Sequence, residues 1–381
     1  MSTGSVEVVY RGIFQKTLAK NICRAIVFAA KKEGKIGTAF GRYSDSPERN
    51  GIPAKQFAVV SDTEEELEEH LAKYEPDNND VTIVVDDALC KGVESWAWYG
   101  LQPINKLLKK GGTLLVTSFQ SPNKLINFIH RKGEPYNLAL VRAMASFSGL
   151  WVYKDDHTDV RLLGALAKVA PHIVGIDAIC EVIKEQWKDD LKVASARKTY
   201  EATETIPVSA DQGNEEVPFE FEKPGWKTME EGLVIRGIPA EQQKVEGWEG
   251  GYVPTRNPTF KKFSTRTMRP VINFDTCIKC TLCWLQCPDT CFDITPDGLY
   301  DANMEACCGC GVCEAVCPVE DCVTMVNEEA FDDNASQWEM WIKDKKGYET
   351  WMTEKISDRP ARSHGFHHVG QYAEETADES A

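Results

Sequence analysis

Cysteine is nearly absent from the first two thirds of this 381-residue chain. Only Cys23, Cys90 and Cys180 precede position 270, and the other eleven of fourteen fall between Cys277 and Cys322. That distribution excludes a disulfide scaffold of the secreted kind, which would be shorter and spaced differently. Dense C-x-x-C repeats in a long chain read instead as metal ligands in a reducing compartment. Positive charge is also scarce: the formal net charge is −16, which argues against a nucleic-acid groove or an anionic membrane surface as the main partner. Long apolar runs are missing. The most apolar stretch, "NICRAIVFAA", is interrupted by Arg24 and runs into "KKEGK", too short to span a bilayer. The opening "MSTGSVEVVYRG" lacks the basic start and apolar core of a signal peptide. The expectation is a soluble, cytoplasmic protein.

What is present supports real cores, with 42% apolar residues in a chain long enough for two or three domains. "VEVVY" (6–10), "KQFAVVSD" (55–62), "VTIVVDD" (81–87) and "TLLVTS" (113–118) read as strands. Between them lie helical patterns: Leu18, Ile22, Ala25 and Ala29 at helical spacing, then "TEEELEEHLAKY", with Thr63 and Glu66 placed as a capping box. "GLQPINKLLKKGG" reads as a further helix closed by glycine. Alternating strands and helices predict an α/β domain with parallel βαβ units over residues 1–201. It closes with the helix "VRLLGALAKVA" and one long amphipathic helix, "GIDAICEVIKEQWKDDLKVASARKTYEA". Residues 202–270 are polar and aperiodic, yet Trp226, Trp248, Tyr252 and Phe260 are too many aromatics for a free tether. An extended linker lying along a protein surface is expected. Residues 271–330 form the cysteine-rich domain. Residues 331–381 form a tail whose aromatic first half could dock on a partner and whose last dozen residues are expected to be disordered.

The cysteine region is a duplication. Cys277, Cys280, Cys283, Cys287 and Pro288 repeat as Cys307, Cys310, Cys313, Cys317 and Pro318, both C-x2-C-x2-C-x3-C-P. This is the run of bacterial two-cluster ferredoxins, in which the fourth cysteine ligates the other [4Fe–4S] cluster. Three close thiolates wrap one corner of a cubane, the fourth lies a helical turn away, and proline ends the loop without needing a backbone donor. The predicted ligand sets are Cys277, Cys280, Cys283 with Cys317, and Cys307, Cys310, Cys313 with Cys287. Zinc sites favour separated pairs, often with histidine, and 270–330 contains no histidine. Cys308 could replace Cys307 by a one-residue slip, while Cys291 and Cys322 read as small packing residues. "CFDITPDGLYDAN" between the motifs reads as a hairpin about Pro296-Asp297-Gly298. Lys279 is almost the only base among many acids there; solvated surface is the simpler reading of those acids. With all eight ligands present no iron is left open for substrate, so the domain is expected to conduct electrons.

"TRTMRPVINFDTCIKCTLCWLQCPDTCFDI", with Arg-Pro-Val-Ile before the first cysteine and Trp284 after the third, resembles the delta subunit of 2-oxoacid:ferredoxin oxidoreductases, the pyruvate synthase group. "FGRYSDSPERNGIPAKQFAVVSD" and "LLGALAKVAPHIVGIDAICEVIKEQW" are similar to the gamma subunit of the same enzymes. The resemblance covers roughly 5–201 and 265–330 and implies a fused gamma–delta chain. It implies an electron-transfer and assembly subunit, with thiamine diphosphate, Mg2+ and a further [4Fe–4S] cluster on alpha- and beta-type partner subunits. Soluble ferredoxin would be the acceptor, coenzyme A the usual acyl acceptor, and the assembly a hetero-oligomer dimerised as a whole. No catalytic residue is expected here: there is no Gly-Asp-Gly stretch followed by an Asn-Asn clasp, and "NND" at 78–80 lies before a strand.

One departure stands out. The family's gamma domain opens with Arg-Gly-x-Gly-Gly-Gln-Gly, a turn through which backbone donors approach a phosphate. Here the stretch is Arg11-Gly12-Ile13-Phe14-Gln15-Lys16-Thr17, and a cradle needs glycine. The loop is expected to pack at a subunit interface, and a coenzyme A-independent complex of the oxalate oxidoreductase type becomes an alternative. Arg42, Glu48 and Arg49 are read either as ion pairs holding a loop against a partner or as substrate contacts, and Asp86 and Asp87 as cap or loop residues. Two other readings compete: a ferredoxin-like subunit of a hydrogenase or formate complex, and an iron–sulfur protein using its clusters structurally, against which the acidity argues.

Overall fold

Strand β1 (Gly4–Arg11) is buried along all eight residues, with Val6, Val8 and Tyr10 in one core and Val9 in another. Such a strand is covered on both faces, as parallel sheets require, and its one buried carboxylate, Glu7, is paired with Lys55 at 2.6 Å. The computed structural model describes residues 3–43, 53–71, 76, 78–94, 101–143, 156–215, 266–304 and 306–358. After β1 come α1 (Gly12–Lys32), β2 (Ile36–Tyr43), β3 (Pro53–Ser61), α2 (Glu64–Leu71) and β4 (Asn79–Val84). Short β5 (Val93–Glu94) and β6 (Leu101–Gln102), then β7 (Leu108–Thr117), α3 (Pro122–Phe128) and β8 (Tyr136–Val141) follow. The unit ends with α4 (Thr158–Val169), α5 (Ile176–Trp187), α6 (Asp190–Ala202) and β9 (Thr205–Val208).

Seven strands form one sheet in the order β2-β3-β1-β4-β7-β8-β9. Its centre, β1-β4-β7-β8, is parallel, as the alternation predicts; β2, β3 and β9 add antiparallel margins. Helices α1, α4 and α5 cover one face, and α3 contributes Leu125 and Ile126 to the other core. Thr63 caps α2, accepting from the Glu66 backbone at 3.4 Å.

Three expectations need correction. "GLQPINKLLKKGG" is not a helix: Pro103 and Asn105 shape a turn, and Leu108 already begins β7. Leu108 is 1% exposed, so its burial in the sheet outweighs helical propensity. The long closing helix is two helices, because Lys188 adopts a left-handed conformation (φ 52°) and Asp189 starts α6 by accepting from Leu191 N–H at 2.8 Å. The sheet also runs past residue 201, since β9 pairs with β8. Trp226, Trp248, Tyr252 and Phe260 of the linker, and Glu48 and Arg49, lie outside the described residues.

Helices α4 and α6 approach at Gly164, where a Cβ would overlap the Ala196 carbonyl oxygen. Gly164→Ala is therefore expected to destabilise the α/β unit by about 1–3 kcal/mol, measurable as a lowered midpoint in urea unfolding.

The second unit comprises β10 (Met268–Ile272), α7 (Leu282–Gln286), β11 (Phe292–Ile294), β12 (Tyr300–Ala302), α8 (Val312–Val316) and β13 (Val323–Asn327). β10 pairs antiparallel with β13, and β11 with β12 across the predicted Pro296-Asp297-Gly298 turn. The start of the tail is helical: α9 (Gln337–Lys343) and α10 (Lys345–Asp358). Its aromatics pack on this chain's own core, with Trp341 and Tyr348 buried against Phe274. Tyr348 Oη donates to Ile272 O at 2.7 Å, and Gln337 Nε2 to Pro270 O at 2.8 Å. These bonds cover the free edge of β10.

The two units meet at the C-terminal ends of the parallel strands. Arg11, closing β1, pairs with Asp86 at 3.6 Å and donates to Met268 Sδ at 3.9 Å. Asp86 also caps the short helix Asp87–Lys91 through Ala88 N–H, and Asp87 accepts from Ser118 Oγ. Both carboxylates thus serve as cap and loop ties, the role expected of them. The Arg11 N–H, which a phosphate turn would leave free, donates to Gln15 Oε1 at 2.7 Å.

Candidate metal centre

The duplicated motifs fold alike. In the first, Lys279 (φ 57°) and Thr281 (φ 71°) are left-handed, and Thr281 precedes α7, which carries Cys283 and ends at Cys287. In the second, Gly309 (φ 70°) and Gly311 (φ 80°) occupy the equivalent places before α8, which carries Cys313 and ends at Cys317. Left-handed residues either side of the middle cysteine curl the loop inward; for non-glycine residues that geometry costs roughly 1–2 kcal/mol each.

Two cavities result. One, of about 410 Å³ counting space open to solvent, is lined by Cys277, Cys280, Cys283, Cys317 and Cys322, with Ile272, Ile278, Phe292, Tyr300 and Val323 among its walls. The other, of about 290 Å³, is lined by Cys287, Cys307, Cys310 and Cys313, with Cys291, Cys308, Asp289 and Met325. Each motif's last cysteine therefore faces the cavity of the other motif. The thiols surround a volume rather than a point: among the described residues no group of three or more Cys, His, Asp or Glu is spaced to hold a single ion.

The electrostatics agree with a polycationic guest. Burial, helped by the neighbouring Cys277, Cys280 and Cys317, pushes the Cys283 thiol up to about 12. Burial pushes Cys313 well above the ordinary thiol range, with Cys307, Cys310 and Cys287 adding to it. Cys287, by contrast, is drawn down to about 6 by the Cys291 thiol and backbone N–H groups, so the buried Cys283 and Cys313 thiols are the ones whose ionisation bound positive charge would favour. The donor set of four thiols per cavity fits [4Fe–4S] centres.

The extra cysteines differ in role. Cys291 is buried, and its N–H donates to Cys287 Sγ at 3.3 Å. Cys322 is buried with its sulfur 3.6 Å from Asn273 O. Cys308 is 2% exposed on the wall of the second cavity. Lys279 Nζ reaches the Asp297 carbonyl, tying the first cluster loop to the hairpin.

Sequence reasoning missed a buried ionic network beside the second cavity. Arg266 Nε and Arg269 Nε donate to Glu328 Oε2 at 2.7 and 2.9 Å. Arg266 Nη1 donates to the carbonyl oxygens of Met304 and Cys307. Lys91, from the α/β unit, lies 3.9 Å from Glu328 Oε1. Arg269 stands in the Arg-Pro-Val-Ile stretch, so one signal was in view, but its partner lies 59 residues away.

Residues 270–325 match the family model described as a 4Fe-4S dicluster domain. Over 53 residues the chain is 45% identical to the NADH-dependent phenylglyoxylate dehydrogenase subunit delta of Aromatoleum evansii, covering 14% of this chain. The chain spans just over half (56%) of that relative's length. It is 32% identical over 78 residues to the pyruvate synthase subunit PorD of Methanocaldococcus jannaschii, 20% of this chain and 90% of that relative. Among solved structures, the pyruvate oxidoreductase subunit PORC of Thermotoga maritima aligns over 54% of this chain and 99% of its own, with a TM-score of 0.40 and 22% identity. With its paired cysteine motifs, dicluster match and near-complete coverage of an archaeal relative, the chain belongs to the PorD family of oxidoreductase subunits.

Proposed function

We propose that this chain is the electron-transfer and assembly subunit of a thiamine-diphosphate-dependent 2-oxoacid:ferredoxin oxidoreductase, with gamma- and delta-type parts fused. The observation that carries the reading is the pair of cavities, each lined by three cysteines of one motif and the last cysteine of the other. Cys277, Cys280, Cys283 and Cys317 would hold one [4Fe–4S] centre, and Cys307, Cys310, Cys313 and Cys287 the second; such centres supply one-electron carriers. The chain's own residues anchor and shield them. Phe292 and Val323 wall the first cavity and Met325 and Val312 the second, limiting water. Cys280 is exposed, which puts the first centre nearer the surface.

The chemistry of the 2-oxoacid belongs, in this reading, to alpha- and beta-type partners carrying thiamine diphosphate, Mg2+ and a further cluster, with soluble ferredoxin as acceptor and a cytoplasmic location. Membership of the PorD family supports it, as do the α/β architecture and the net charge of −16, which disfavours nucleic acid. Among the described residues no helix is long and apolar enough to cross a membrane. A coenzyme A-independent complex of the oxalate type is favoured by one observation: β1 passes into α1 at Gly12, and the Arg11 N–H is taken by Gln15.

Anaerobic purification tests this directly. The complex should contain thiamine-binding subunits by mass spectrometry, and this chain roughly eight irons. Cys313→Ala should remove about half of that iron. Turnover with pyruvate, 2-oxoglutarate and oxalate, with and without coenzyme A, identifies the substrate. A complex without any thiamine-diphosphate protein would sink the reading in favour of a hydrogenase- or formate-type assembly.

A further inference from the structure

The two cavities have unlike surroundings. Beside the second, Arg266 is fully buried and Arg269 is 4% exposed. Arg266 holds the ligand loop itself, donating to the carbonyl oxygens of Met304 and Cys307, and Nη2 donates to Asn334 Oδ1 at 2.6 Å. Arg269 donates to Asp333 O at 2.7 Å and lies 4.3 Å over the Phe331 ring. Both guanidiniums and Lys91 converge on the single carboxylate of Glu328. Two guanidiniums share one buried anion, with the Lys91 amine beside it, so positive charge is in surplus on that side of the loop carrying Cys307, opposite the Asp289 carboxylate on the cavity wall. Buried charge acts through a low permittivity and is little screened.

Among the described residues the first cavity has no such neighbour. Lys279, in its ligand loop, is exposed and turned to the Asp297 carbonyl, and Cys280 is exposed. Charge there is screened by water.

A cubane held by four thiolates is an anion and becomes more negative on reduction. Its potential is set by local charge, hydrogen bonds and exposure. We propose that the Arg266–Arg269–Glu328–Lys91 network makes the centre held by Cys307, Cys310, Cys313 and Cys287 the more easily reduced of the two. The α/β unit supplies part of that bias through Lys91. The inference rests on the ligand sets proposed above. Arg266, Arg269 and Lys91 touch no cluster ligand side chain; they are positioning residues, acting through loop carbonyls and charge. In this arrangement the α/β unit is part of the redox module rather than only its support, and electrons collect at the more buried of the two sites.

The test is an anaerobic potentiometric titration of the assembled complex, followed by electron paramagnetic resonance. Cys310→Ser, which alters one spectrum, assigns the signals. The assigned centre should be the higher-potential one in the unaltered protein. Arg269→Gln should shift electron occupancy away from it by about tenfold, equivalent to about 59 mV for a one-electron couple, and Arg269→Lys should restore most of the difference. Lys91→Met, which removes no guanidinium contact, must shift it in the same direction and decides the matter if Arg269→Gln does not fold. The inference is overturned if occupancy changes by less than about twofold in Lys91→Met, if both centres move together, or if the assigned centre is the lower-potential one. Should Cys280→Ser and Cys310→Ser perturb the same signal, the ligand sets themselves are wrong, an outcome distinct from intact centres with unmoved potentials.

Discussion

Glu328→Gln should lower the stability of the chain by about 3–5 kcal/mol, the cost of removing one partner from a buried ion pair. Glu328 is 6% exposed. Its Oε2 accepts from Arg266 and Arg269 together, and Oε1 from Arg269 Nη2. Glutamine keeps the shape but turns a donor toward guanidiniums that cannot accept, leaving two buried cations without a counter-ion. The same carboxylate has a pH signature. Burial alone would raise its pKa, but Lys91, Arg266 and Arg269 override burial and hold it at about 2, against 4.5 for the ordinary group. The sign follows: this contribution, roughly 3 kcal/mol, is complete above pH 4.5 and is lost as pH falls through about 2. Lys91 works the other way. Burial lowers it to about 7 from 10.5, so its cost to the fold is complete below pH 7 and relieved as pH rises toward 10.5. Urea unfolding under argon at a series of pH values reads both. The Gln variant should lose the acid-side slope, and a variant as stable as the parent at pH 7 would show that the network is not the interdomain tie. Combined with Lys91→Met, a double-mutant cycle isolates the contact between the units.

Chemistry was more legible in the sequence than topology. The proposed ligand sets come from the spacing of the repeated C-x2-C-x2-C-x3-C-P, and the two cavities are lined by those eight cysteines together with Cys322 in the first and Cys291 and Cys308 in the second. Parallel strands at the sheet centre were legible because β4 and the second half of β7 carry the buried runs "VTIV" and "LLVT". What failed were local signals overruled by distant contacts. "KLLKKGG" has helical residues, but pairing with β4 draws Leu108 into strand. The Lys188 break was hidden because a lysine rarely goes left-handed, although Asp189 behind it is a good cap. The aromatic tail looked fit for a partner; α9 and α10 spend those rings on Phe274 and the edge of β10. The Arg266–Glu328 network was invisible because nothing in one chain's sequence pairs residues 62 apart.

Gly309→Ala is expected to cost about 2–5 kcal/mol and to leave the chain with one centre. Two effects add. Gly309 lies between Cys307 and Cys310 at φ 70°, where an alanine is strained by about 1–2 kcal/mol. A Cβ there would also overlap the carbonyl oxygen of Met268 and crowd Arg266 Cβ at 3.3 Å, an overpacking term of about 1–3 kcal/mol. Met268 belongs to β10, so relief must come from moving the ligand loop off the sheet that supports it. Its N–H, 3.4 Å from Cys307 Sγ, would move with it. Gly311 provides the internal comparison: it has φ 80°, but its nearest neighbour is Met268 Cε at 3.9 Å, so Gly311→Ala carries only the strain of about 1–2 kcal/mol. Iron per chain should fall by about half in Gly309→Ala and stay near the parent value in Gly311→Ala, with Cys283-side spectra unchanged in both. Equal iron loss in the two variants would mean that left-handed strain, and not the fit of the loop against β10, controls assembly of the second centre.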